Sequence, residues 1–293
     1  MNISLIVNPI AASGKAKKLA LPAIKQLEKS GCQIDLQYSR FAGHSIELSK
    51  EALKKNSDLV VAVGGDGTVS EVANPLVGTT TPLGILPFGR GNDIATSLNI
   101  PKESEKAVNC LLKDDIATID VGKVKDRYFL GIGGVGFDGE VVNMANRNRK
   151  YLPLPFLAYF VGVFIQIAVF NPKIITLDID GVKHEVRAYM VAIGNGPRYG
   201  GGMIALPFAS MDDGELDLCL VRDISKIEFL KTLPKVFSGT HIHHPGVSLF
   251  KGKKISVESE SNLFVHADGE ILGRLPAIFE VASEKLNVRK GGA

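Results

Sequence analysis

The sequence has few cysteines, little net charge and no repetition. Its 293 residues include three cysteines, Cys32, Cys110 and Cys219, which are scattered and odd in number. They form neither a disulfide framework nor a metal-binding spacing, which indicates a protein of the reducing cytoplasm. The formal net charge of +3 is too small to favour binding to nucleic acid. Hydrophobic residues make up 45% of the chain, so the composition is that of a globular protein.

The sequence also lacks a recognisable secretion signal and a long membrane-spanning run. Met1–Pro9 has no basic segment and no cleavage site, and it predicts a first strand. A largely apolar, uncharged stretch, Leu152–Phe170, follows the basic residues of Arg147–Lys150. Pro153 and Pro155 place the start of its helix near Pro155, which leaves about 15 residues against the ~20 needed to cross a bilayer. We therefore expect a buried or groove-lining helix, with membrane-surface contact as the alternative and a true span as the least favoured outcome.

The first part of the chain alternates apolar strand patterns with helical ones. The short loops between them are typical of a parallel, doubly wound sheet, in which ligands bind at the carboxyl ends of the strands. The apolar spacing predicts strands over Ile3–Val7, Cys32–Tyr38, Leu59–Val63 and Leu83–Leu86, and helices over Lys15–Lys29, Ser45–Lys55 and Val69–Leu76.

The second part of the chain has short, frequent strands. It predicts a largely antiparallel β domain with the apolar helix of residues 155–170 inserted. The predicted strands are Ile119–Val124, Tyr128–Ile132, Ile174–Ile179, Glu185–Ile193, Leu216–Val221, Lys254–Ser259 and Leu263–Ala267. The tail Val288–Ala293 is predicted to fray. The fold class is thus α/β plus β, with an N-terminal doubly wound α/β nucleotide-binding domain over residues 1–120 and a C-terminal β domain over residues 121–280.

The most informative motif joins an apolar strand to a polar, glycine-rich turn. The run that ends at Val63 is followed by Gly64-Gly65-Asp66-Gly67-Thr68 and then by a segment compatible with a helix. The glycines let backbone amides approach a phosphate with no Cβ in the way, and the helix N-terminus adds the positive end of its dipole. Asp66 can hold a metal ion or polarise a water, and Thr68 can bind a phosphate oxygen or cap the helix. The motif therefore predicts a nucleotide-phosphate site.

Two further loops follow predicted strands of the same sheet. Asn8–Lys15 lacks the Walker A spacing, so it is either an ordinary strand-to-helix turn or a nucleotide contact. Gly89–Asp93 repeats the glycine-rich design of the main motif. Its Asp93 is either a helix cap or a second carboxylate that orders Mg²⁺ together with Asp66.

The second part has glycine-rich and acidic segments of its own. Gly133–Asp138 and Asn195–Gly202 indicate tight β turns, or backbone packed close to a ligand or a domain interface. Met211–Asp217 is either a solvated turn or a site for Ca²⁺ or Mg²⁺. Ala267–Glu270 ends an apolar strand in two carboxylates separated by a glycine, which indicates either a hairpin turn or a general base toward a hydroxyl.

Taken in order, these motifs resemble those of the bacterial soluble lipid kinases with a diacylglycerol kinase catalytic domain, which are related to sphingosine and ceramide kinases. The GGDGT motif alone is shared with NAD kinases and 6-phosphofructokinases, whereas the combination is specific. The matching segments cover nearly the whole chain and are Asn8-Pro9 with Gly14, Gly64–Thr68, Leu86–Asp93, Gly134–Asp138, Asn195–Gly202, Asp213-Gly214 and Asp268-Gly269-Glu270. The resemblance implies an ATP-binding first domain, a β-rich lipid-substrate domain, and a last segment, residues 281–293, that returns to the first domain.

The resemblance also implies roles for individual residues. ATP and Mg²⁺ are the implied cofactors, and the implied base toward the lipid hydroxyl is Glu270, then Asp268, with Asp66 as a further candidate. The implied nucleotide contacts are Asn8, Ser13, Gly14, Ser39, Gly64, Gly65, Asp66, Gly67, Thr68, Glu71, Arg90, Asn92 and Asp93. The implied metal ligands are Asp66 and Asp93, and around a second, structural Mg²⁺ Asp213 with backbone carbonyls near Ser210 and Glu215.

Three residues depart from the pattern of that family. Ser39 stands where the family often has Thr, Arg90 where it often has Thr or Ser, and Ser70 where Asn is frequent. We expect a cytoplasmic lipid kinase, peripherally associated with the membrane, that phosphorylates diacylglycerol; a homodimer is among the states that the sequence leaves open. The alternatives are a NAD kinase and a non-catalytic lipid or nucleotide sensor that has kept the fold. The long apolar segment argues against the first, and the retained carboxylates argue against the second.

Overall fold

A computed structural model of the chain describes residues 1–148 and 155–291, and the side chains of residues 1–147 and 162–291. The chain divides into two compact units, Met1–Val121 together with the chain from Ala282 onward, and Gly122–Val281. The parts of the predicted apolar segment and of its basic flank that fall on residues 149–154 lie outside the described residues.

The first unit begins with alternating strands and helices. The strand Leu59–Gly64 is buried along its whole length, as a central strand covered on both faces must be. In chain order the elements are β1 (Asn2–Val7), α1 (Ala11–Gly14), α2 (Ala16–Lys29), β2 (Gln33–Tyr38), α3 (His44–Lys54), β3 (Leu59–Gly64), α4 (Asp66–Ala73), β4 (Leu83–Pro87), α5 (Asp93–Ser97), α6 (Ser104–Leu112) and β5 (Ile116–Ile119).

The second unit is built mainly of strands. Its elements are β6 (Gly122–Val124), β7 (Arg127–Phe129), β8 (Ile132–Gly136), α7 (Phe137–Asn148), α8 (Pro155–Val169), β9 (Lys173–Ile179), β10 (Val182–Gly194), β11 (Arg198–Tyr199), β12 (Met203–Ile204), β13 (Leu216–Arg222), α9 (Lys226–Thr232), β14 (Val247–Gly252), β15 (Lys254–Glu258), β16 (Phe264–Ala267), β17 (Glu270–Arg274) and β18 (Ala277–Val281). Two 3₁₀ helices, Leu233–Ser238 and Thr240–His243, follow α9. The chain then ends in β19 (Leu286–Arg289), which belongs to the first unit.

A mainly parallel sheet forms the centre of the first unit. Its strand order is β2-β1-β3-β4-β19-β5, and all neighbours are parallel except β19 and β5. The chain passes from β1 outward to β2 and then back beyond β1 to β3, so the loops after β1 and β3 leave neighbouring strand ends at a switch point. Helix α2 packs with α6, and α3 packs with α4. The predicted doubly wound α/β fold is confirmed.

The second unit is an antiparallel β structure around an apolar core. Its strands follow the order β17-β16-β8-β10-β9-β15-β18-β6-β7, and β13 pairs with both β10 and β14. The long β10 connects these parts, because residues 182–188 pair with β9 and residues 190–194 pair with β8 and β13. In the core, Phe129 packs edge-on against Phe279 with ring centroids 6.1 Å apart. The predicted antiparallel architecture is confirmed.

Two predicted strands are each divided in the structure. The first, Ile119–Val124, is split between β5 in the first sheet and β6 in the second. Asp120 lies between them, where its buried carboxylate is 2.7 Å from the Nζ of Lys285. The second, Tyr128–Ile132, is split between β7 and β8. The strand pattern of Ile119–Val124 continues through Asp120 and does not reveal where the chain leaves one sheet for the other.

The glycine-rich segment Gly133–Asp138 is not a turn. Most of it is strand β8, which runs between β10 and β16. A Cβ on Gly133 would stand 2.6 Å from the carbonyl oxygen of His266, and one on Gly134 would stand 2.5 Å from that of Val191. The glycines therefore serve close packing of backbone against backbone within the sheet.

The chain terminus and several helices also differ from the prediction. Val288 is fully buried and pairs with Leu83 of β4, so the prediction that the tail frays is wrong for Val288–Gly291. Helix α4 begins at Asp66 rather than at Val69. Helices α6, α7 and α9 are not among the helices that the apolar spacing predicted.

The apolar segment forms helix α8 over its described part. Val163 and Ile167 are buried, whereas Phe164, Ile165 and Val169 are exposed. From Gly162 onward this helix therefore has a buried and an exposed side, and the exposed side chains include Phe164, Ile165 and Val169. Among the described helices, none combines the length and the apolar character needed to cross a bilayer.

Candidate functional site

The loop after β1 is tied to the glycine motif. The Nδ2 of Asn8 donates a hydrogen bond to Thr68 Oγ1 at 3.0 Å, and its backbone N–H donates to the carbonyl of Val63 at 3.0 Å. Ala12, Ser13 and Gly14 follow with positive φ angles of 51°, 58° and 83°. Successive backbone N–H groups in such left-handed loops form concavities that bind anions.

The motif loop after β3 leads directly into helix α4. Gly65 is extended and precedes the first helical residue, Asp66. A Cβ on Gly64 would stand 2.6 Å from Thr68 Oγ1, so this position requires glycine for the threonine to pack there. The first N–H groups of a helix lack partners within the helix, which suits them to bind phosphate oxygens. A Cβ on Gly67 would meet no atom within 4 Å, so its backbone faces open space.

The loop after β4 is stabilised by two hydrogen bonds between the side chain of Asn92 and the backbone of Gly89. Asn92, at φ +56°, accepts a hydrogen bond from Gly89 N at 2.8 Å through Oδ1 and donates from Nδ2 to Gly89 O at 3.1 Å. The guanidinium of Arg90 donates to Ser13 Oγ at 3.1 Å. Arg90 therefore connects this loop to the loop after β1, and it brings a positive charge to a predicted phosphate site.

Asp66, Gly65 and Gly89 connect the loop after β3 with the loop after β4. Asp66 Oδ1 accepts a hydrogen bond from Ile94 N, at the start of α5, at 2.9 Å. A Cβ on Gly89 would lie 2.3 Å from the Cα of Gly65, so the two loops touch backbone to backbone. The structure therefore brings the predicted nucleotide residues of all three loops into one connected group.

Two other predicted contacts lie beside this group. Glu71 Oε1 accepts a hydrogen bond from Gly43 N at 3.0 Å, which ties α4 to the loop before α3. Ser39 is buried at the end of β2, and its N–H donates to Val7 O at 3.0 Å. Ser39 directly follows the carboxyl end of β2, and Glu71 lies in the second turn of α4. The hydrogen bonds of Glu71 and Ser39 stabilise the surrounding structure whether or not a nucleotide is bound.

Asp66 and Asp93 are the predicted Mg²⁺ ligands of the first unit. These carboxylates start α4 and α5, and Asp93 is buried. Within the described residues, no cluster of three or more His, Cys, Asp or Glu side chains could hold a metal alone. Mg²⁺ in nucleotide sites commonly takes only one or two carboxylates and fills its other positions with phosphates and water. The donor set therefore suits a metal that arrives with a nucleotide.

At the second predicted metal site, the ammonium group of Lys251 contacts the carboxylate of Asp213. Lys251 Nζ lies 2.6 Å from Asp213 Oδ2 and 3.4 Å from Asp217 Oδ2. The other oxygen of Asp213 accepts a hydrogen bond from Glu215 N, and Ser210 Oγ donates to Asp212 rather than to Asp213. A divalent cation at Asp213 would have to share this space with a positive charge. The residues do not fit the structural Mg²⁺ that the resemblance implies.

The predicted base residues lie on one hairpin of the second unit. Asp268, at φ +48°, accepts hydrogen bonds from Leu130 N at 3.0 Å and from Gly131 N at 2.9 Å, one at each oxygen. Glu270 forms an ion pair with Arg127, with Nη2 and Oε2 2.8 Å apart, and its side chain is 45% exposed. Asp268 thus holds the turn to the chain that precedes β8, while Glu270 is half-exposed and paired with Arg127.

Sequence reasoning missed an apolar cavity in the second unit. It is lined mainly by apolar side chains from β10, α8, α9 and the 3₁₀ helix that follows α9, among them Val163, Met190, Phe229, Val236 and Phe237. Its few polar side chains include Asp138 and His241. Because these residues are far apart in the sequence, no local pattern indicates the cavity.

A buried histidine–aspartate hydrogen bond at this cavity was also missed. His266 Nε2 lies 2.9 Å from Asp138 Oδ2, and both side chains are almost fully buried. Asp138 starts α7 next to β8, and His266 lies on β16 two residues before Asp268. The pair therefore connects a cavity residue to the strand that leads into the Asp268–Glu270 turn.

Comparison with known proteins places these features in a family. Residues 2–124 match the diacylglycerol kinase catalytic domain, and residues 131–290 match the YegS C-terminal NAD kinase beta sandwich-like domain. A diacylglycerol kinase of Mycobacterium tuberculosis is 32% identical over 98% of this chain and 94% of its own length. A diacylglycerol kinase of Bacillus subtilis is 29% identical over 94% of this chain and 91% of its own length.

A solved structure has the same fold over nearly the whole chain. The crystal structure of a diacylglycerol kinase from Bacillus anthracis superposes with a TM-score of 0.74 at 22% identity, covering 99% of this chain and 96% of that one. Since a family domain matches more than half of the chain and a relative above 30% identity covers almost all of it, the chain belongs to the diacylglycerol kinase family of lipid kinases, which phosphorylate an alcohol group.

Proposed function

We propose that this protein transfers the γ-phosphoryl group of ATP to the hydroxyl of diacylglycerol and forms phosphatidic acid. The observation that carries the proposal is the connected group of loops at the carboxyl edge of the first sheet. Asn8 bonds to Thr68, Asp66 bonds to the start of α5, and Arg90 bonds to Ser13. Such a group offers helix N-termini, glycine backbone and a guanidinium to a triphosphate.

In this proposal the first unit positions the nucleotide. Amides of the Gly64–Thr68 turn and the Arg90 guanidinium bind phosphate oxygens, and Asp66 and Asp93 hold Mg²⁺. When bound, Mg²⁺ supplies positive charge that offsets the charge on the transferred group. Because phosphoryl transfer depends mainly on position and on charge stabilisation, the rigidity of the three connected loops is itself catalytically useful.

The second unit positions the lipid. Glu270 accepts the proton of the attacking hydroxyl, while its ion pair with Arg127 orients the carboxylate. Asp268 keeps the turn in place through its two backbone hydrogen bonds. The apolar cavity supports a lipid acceptor, since its lining offers apolar contacts to an acyl chain. The protein then works as a peripheral enzyme at the cytoplasmic face of a membrane.

The first test is transfer of labelled γ-phosphate from ATP to defined acceptors in mixed micelles with Mg²⁺. The panel contains diacylglycerol, phosphatidylglycerol, a sphingoid base and NAD. We expect diacylglycerol to be labelled, and Asp66→Asn to lower the rate at least about 100-fold. Asp126→Asn, in an exposed turn between β6 and β7, is the matched control and should leave the rate unchanged. Labelling of NAD alone, or binding of Mg·ATP without transfer to any acceptor, contradicts the proposal.

The base is tested separately from the nucleotide site. Glu270→Gln should lower kcat about 100-fold and leave the Kd for ATP unchanged, because the amide keeps the shape but no longer accepts a proton. Asp268→Asn should mainly lower the melting temperature, since it weakens the bonds to Leu130 and Gly131. A Glu270→Gln enzyme with full activity would move the role of base to Asp66 or Asp268.

A further inference from the structure

Two neighbouring helices of the second unit present apolar side chains to solvent. On α9 and the 3₁₀ helix after it, Ile227, Leu230 and Phe237 are 65%, 41% and 46% exposed. On the last turns of α8, Phe164 and Val169 are each 62% exposed. We call the surface formed by these five side chains the α8–α9 surface. Exposed apolar side chains grouped in this way mark an interaction site more often than isolated ones do.

Contacts between the helices make this a single surface. Lys226, the first residue of α9, donates a hydrogen bond from Nζ to the carbonyl of Ala168 near the end of α8. Helix α9 also has a complete capping box, in which the side chains of Ser225 and Glu228 satisfy each other's backbone N–H groups. The start of α9 is therefore stabilised by its capping box and connected to the end of α8 by a hydrogen bond.

The charge on this surface is positive. Lys231 and Lys235 are exposed on α9 and on the 3₁₀ helix, in the same segment as Ile227, Leu230 and Phe237. Glu228 is the acidic residue of the segment 226–237, and its carboxylate accepts hydrogen bonds from Ser225 N and Oγ at the helix start. Apolar side chains mixed with lysines are the composition of helices that lie in the interface of anionic membranes.

The inner side of the same segment lines the apolar cavity. Phe229, Thr232, Leu233 and Val236 contribute to its wall. Phe237 both lines the cavity and is 46% exposed, so the cavity wall meets the outer surface at this side chain. A lipid that leaves a bilayer at the α8–α9 surface would thus meet apolar contacts continuously.

We propose that the α8–α9 surface docks onto an anionic lipid bilayer and that the acceptor lipid enters the cavity beside Phe237. The docking step stands on the surface alone, whereas the entry step rests on the proposed lipid kinase function. Ile227, Leu230 and Phe237 insert into the acyl boundary, and Lys231 and Lys235 bind lipid phosphates. This assigns to α9 a role that the sequence pattern, which pointed to the segment 155–170, did not indicate.

The docking step is tested by co-sedimentation of the full chain with vesicles, in the absence of nucleotide. Vesicles of phosphatidylcholine alone are compared with vesicles that also contain phosphatidylglycerol. We expect binding to the anionic vesicles, at least tenfold weaker partitioning for Leu230→Glu, and weaker partitioning for Lys231→Gln with Lys235→Gln. Ile174→Glu is the matched control, because Ile174 is 59% exposed on β9 and should tolerate the charge without loss of binding.

Two further measurements separate docking from catalysis and from folding. Thermal melts should be unchanged for Leu230→Glu, and its rate on a short-chain diacylglycerol in free solution should match that of the parent protein. If vesicles bind but soluble diacylglycerol is not phosphorylated, the proposed function fails and the docking surface stands. Equal partitioning of the parent protein and Leu230→Glu overturns the docking proposal. So does a dimer in sedimentation velocity that Leu230→Glu dissociates, since the surface would then bind a second copy.

Discussion

At the residue scale, Lys251 is the clearest departure from what the sequence motifs imply. It faces Asp217 across the β13–β14 pair, and its ammonium reaches Asp213 as well. The hydrogen bond to Asp213 raises the pKa of Lys251. Burial raises the pKa of Asp217, and the lysine opposes that shift. The ammonium thus supplies the positive charge that two neighbouring carboxylates require.

Without the ammonium of Lys251, the carboxylates of Asp213 and Asp217 should bind a cation from solution. In the absence of nucleotide, we expect Mg²⁺ to leave the melting temperature of the parent protein unchanged. Lys251→Met should melt lower and should regain stability as Mg²⁺ is added, because a ligand that binds only the folded state stabilises it. Lys253→Met, exposed just beyond β14, is the control. A rise in melting temperature with Mg²⁺ that is equal in the parent and the Lys251 variant would show that the lysine does not replace a metal.

We expect His241 to make the stability of the second unit depend on pH. It is buried beside the cavity, and burial lowers its pKa, although a hydrogen bond with the Ala205 carbonyl opposes the shift. The unfolded chain binds a proton below about pH 6.5, before the folded protein does, so the free energy of unfolding should fall as the pH drops below this value. The melting temperature of His241→Gln should fall less between pH 7 and pH 5. The variant at the exposed His243, His243→Gln, should follow the parent curve, and identical slopes for all three proteins would contradict the assignment.

Much of the candidate nucleotide site in the first unit could be predicted from the sequence, whereas little of the site in the second unit could. The glycines and Asp66 could be predicted because a strand end, a tight turn and a helix start are local features. The pair of Asp138 and His266 could not, since its partners are 128 residues apart and meet only when β8 and β16 pair. The contact between Lys251 and Asp217 could not be predicted either, because only the register between β13 and β14 brings the two residues together.

At the scale of elements, glycine permits close backbone approach in two different settings, a strand and a pair of loops. Gly133 and Gly134 lie within β8, where neighbouring strands leave no room for a side chain. Gly65 and Gly89 lie in loops that touch each other after β3 and β4. Composition alone predicts a turn in both cases. Only the pairing of the flanking strands distinguishes a glycine-rich strand from a glycine-rich loop.

Substitution of Gly89, in the loop after β4, and of Gly67, in helix α4, should have opposite effects on stability. Gly89→Ala places a Cβ 2.3 Å from the Cα of Gly65 and 2.6 Å from Asn92 Oδ1, so the loops must separate and the melting temperature should fall. Gly67→Ala meets no atom within 4 Å in helix α4 and should raise stability by up to about 1 kcal/mol. The same Gly67→Ala change should weaken ATP binding where phosphate approaches the backbone. Thermal melts with and without ATP check both effects, and equal melting temperatures for the two apo variants would contradict the close approach.

At the scale of the whole molecule, the first unit is not continuous in sequence. Its sheet is completed by β19, which comes after the entire second unit and lies between β4 and β5. Leu286 and Val288 of this strand are fully buried. Four residues near the end of a chain resemble a terminus that frays, because nothing local shows that both of their edges are paired.

Removal of the chain after Val281 should destabilise the first unit selectively. Without β19, β4 and β5 lose their shared neighbour, and the apolar positions of Leu286 and Val288 become a gap in the core. Hydrogen exchange should show loss of protection in β4 and β5, while the strands of the second unit keep theirs. A peptide of residues 282–291, added in trans, should restore protection, whereas the same peptide with Val288→Asp should not. Full protection of β4 and β5 in the truncated chain would mean that the returning strand is dispensable for the nucleotide-binding unit.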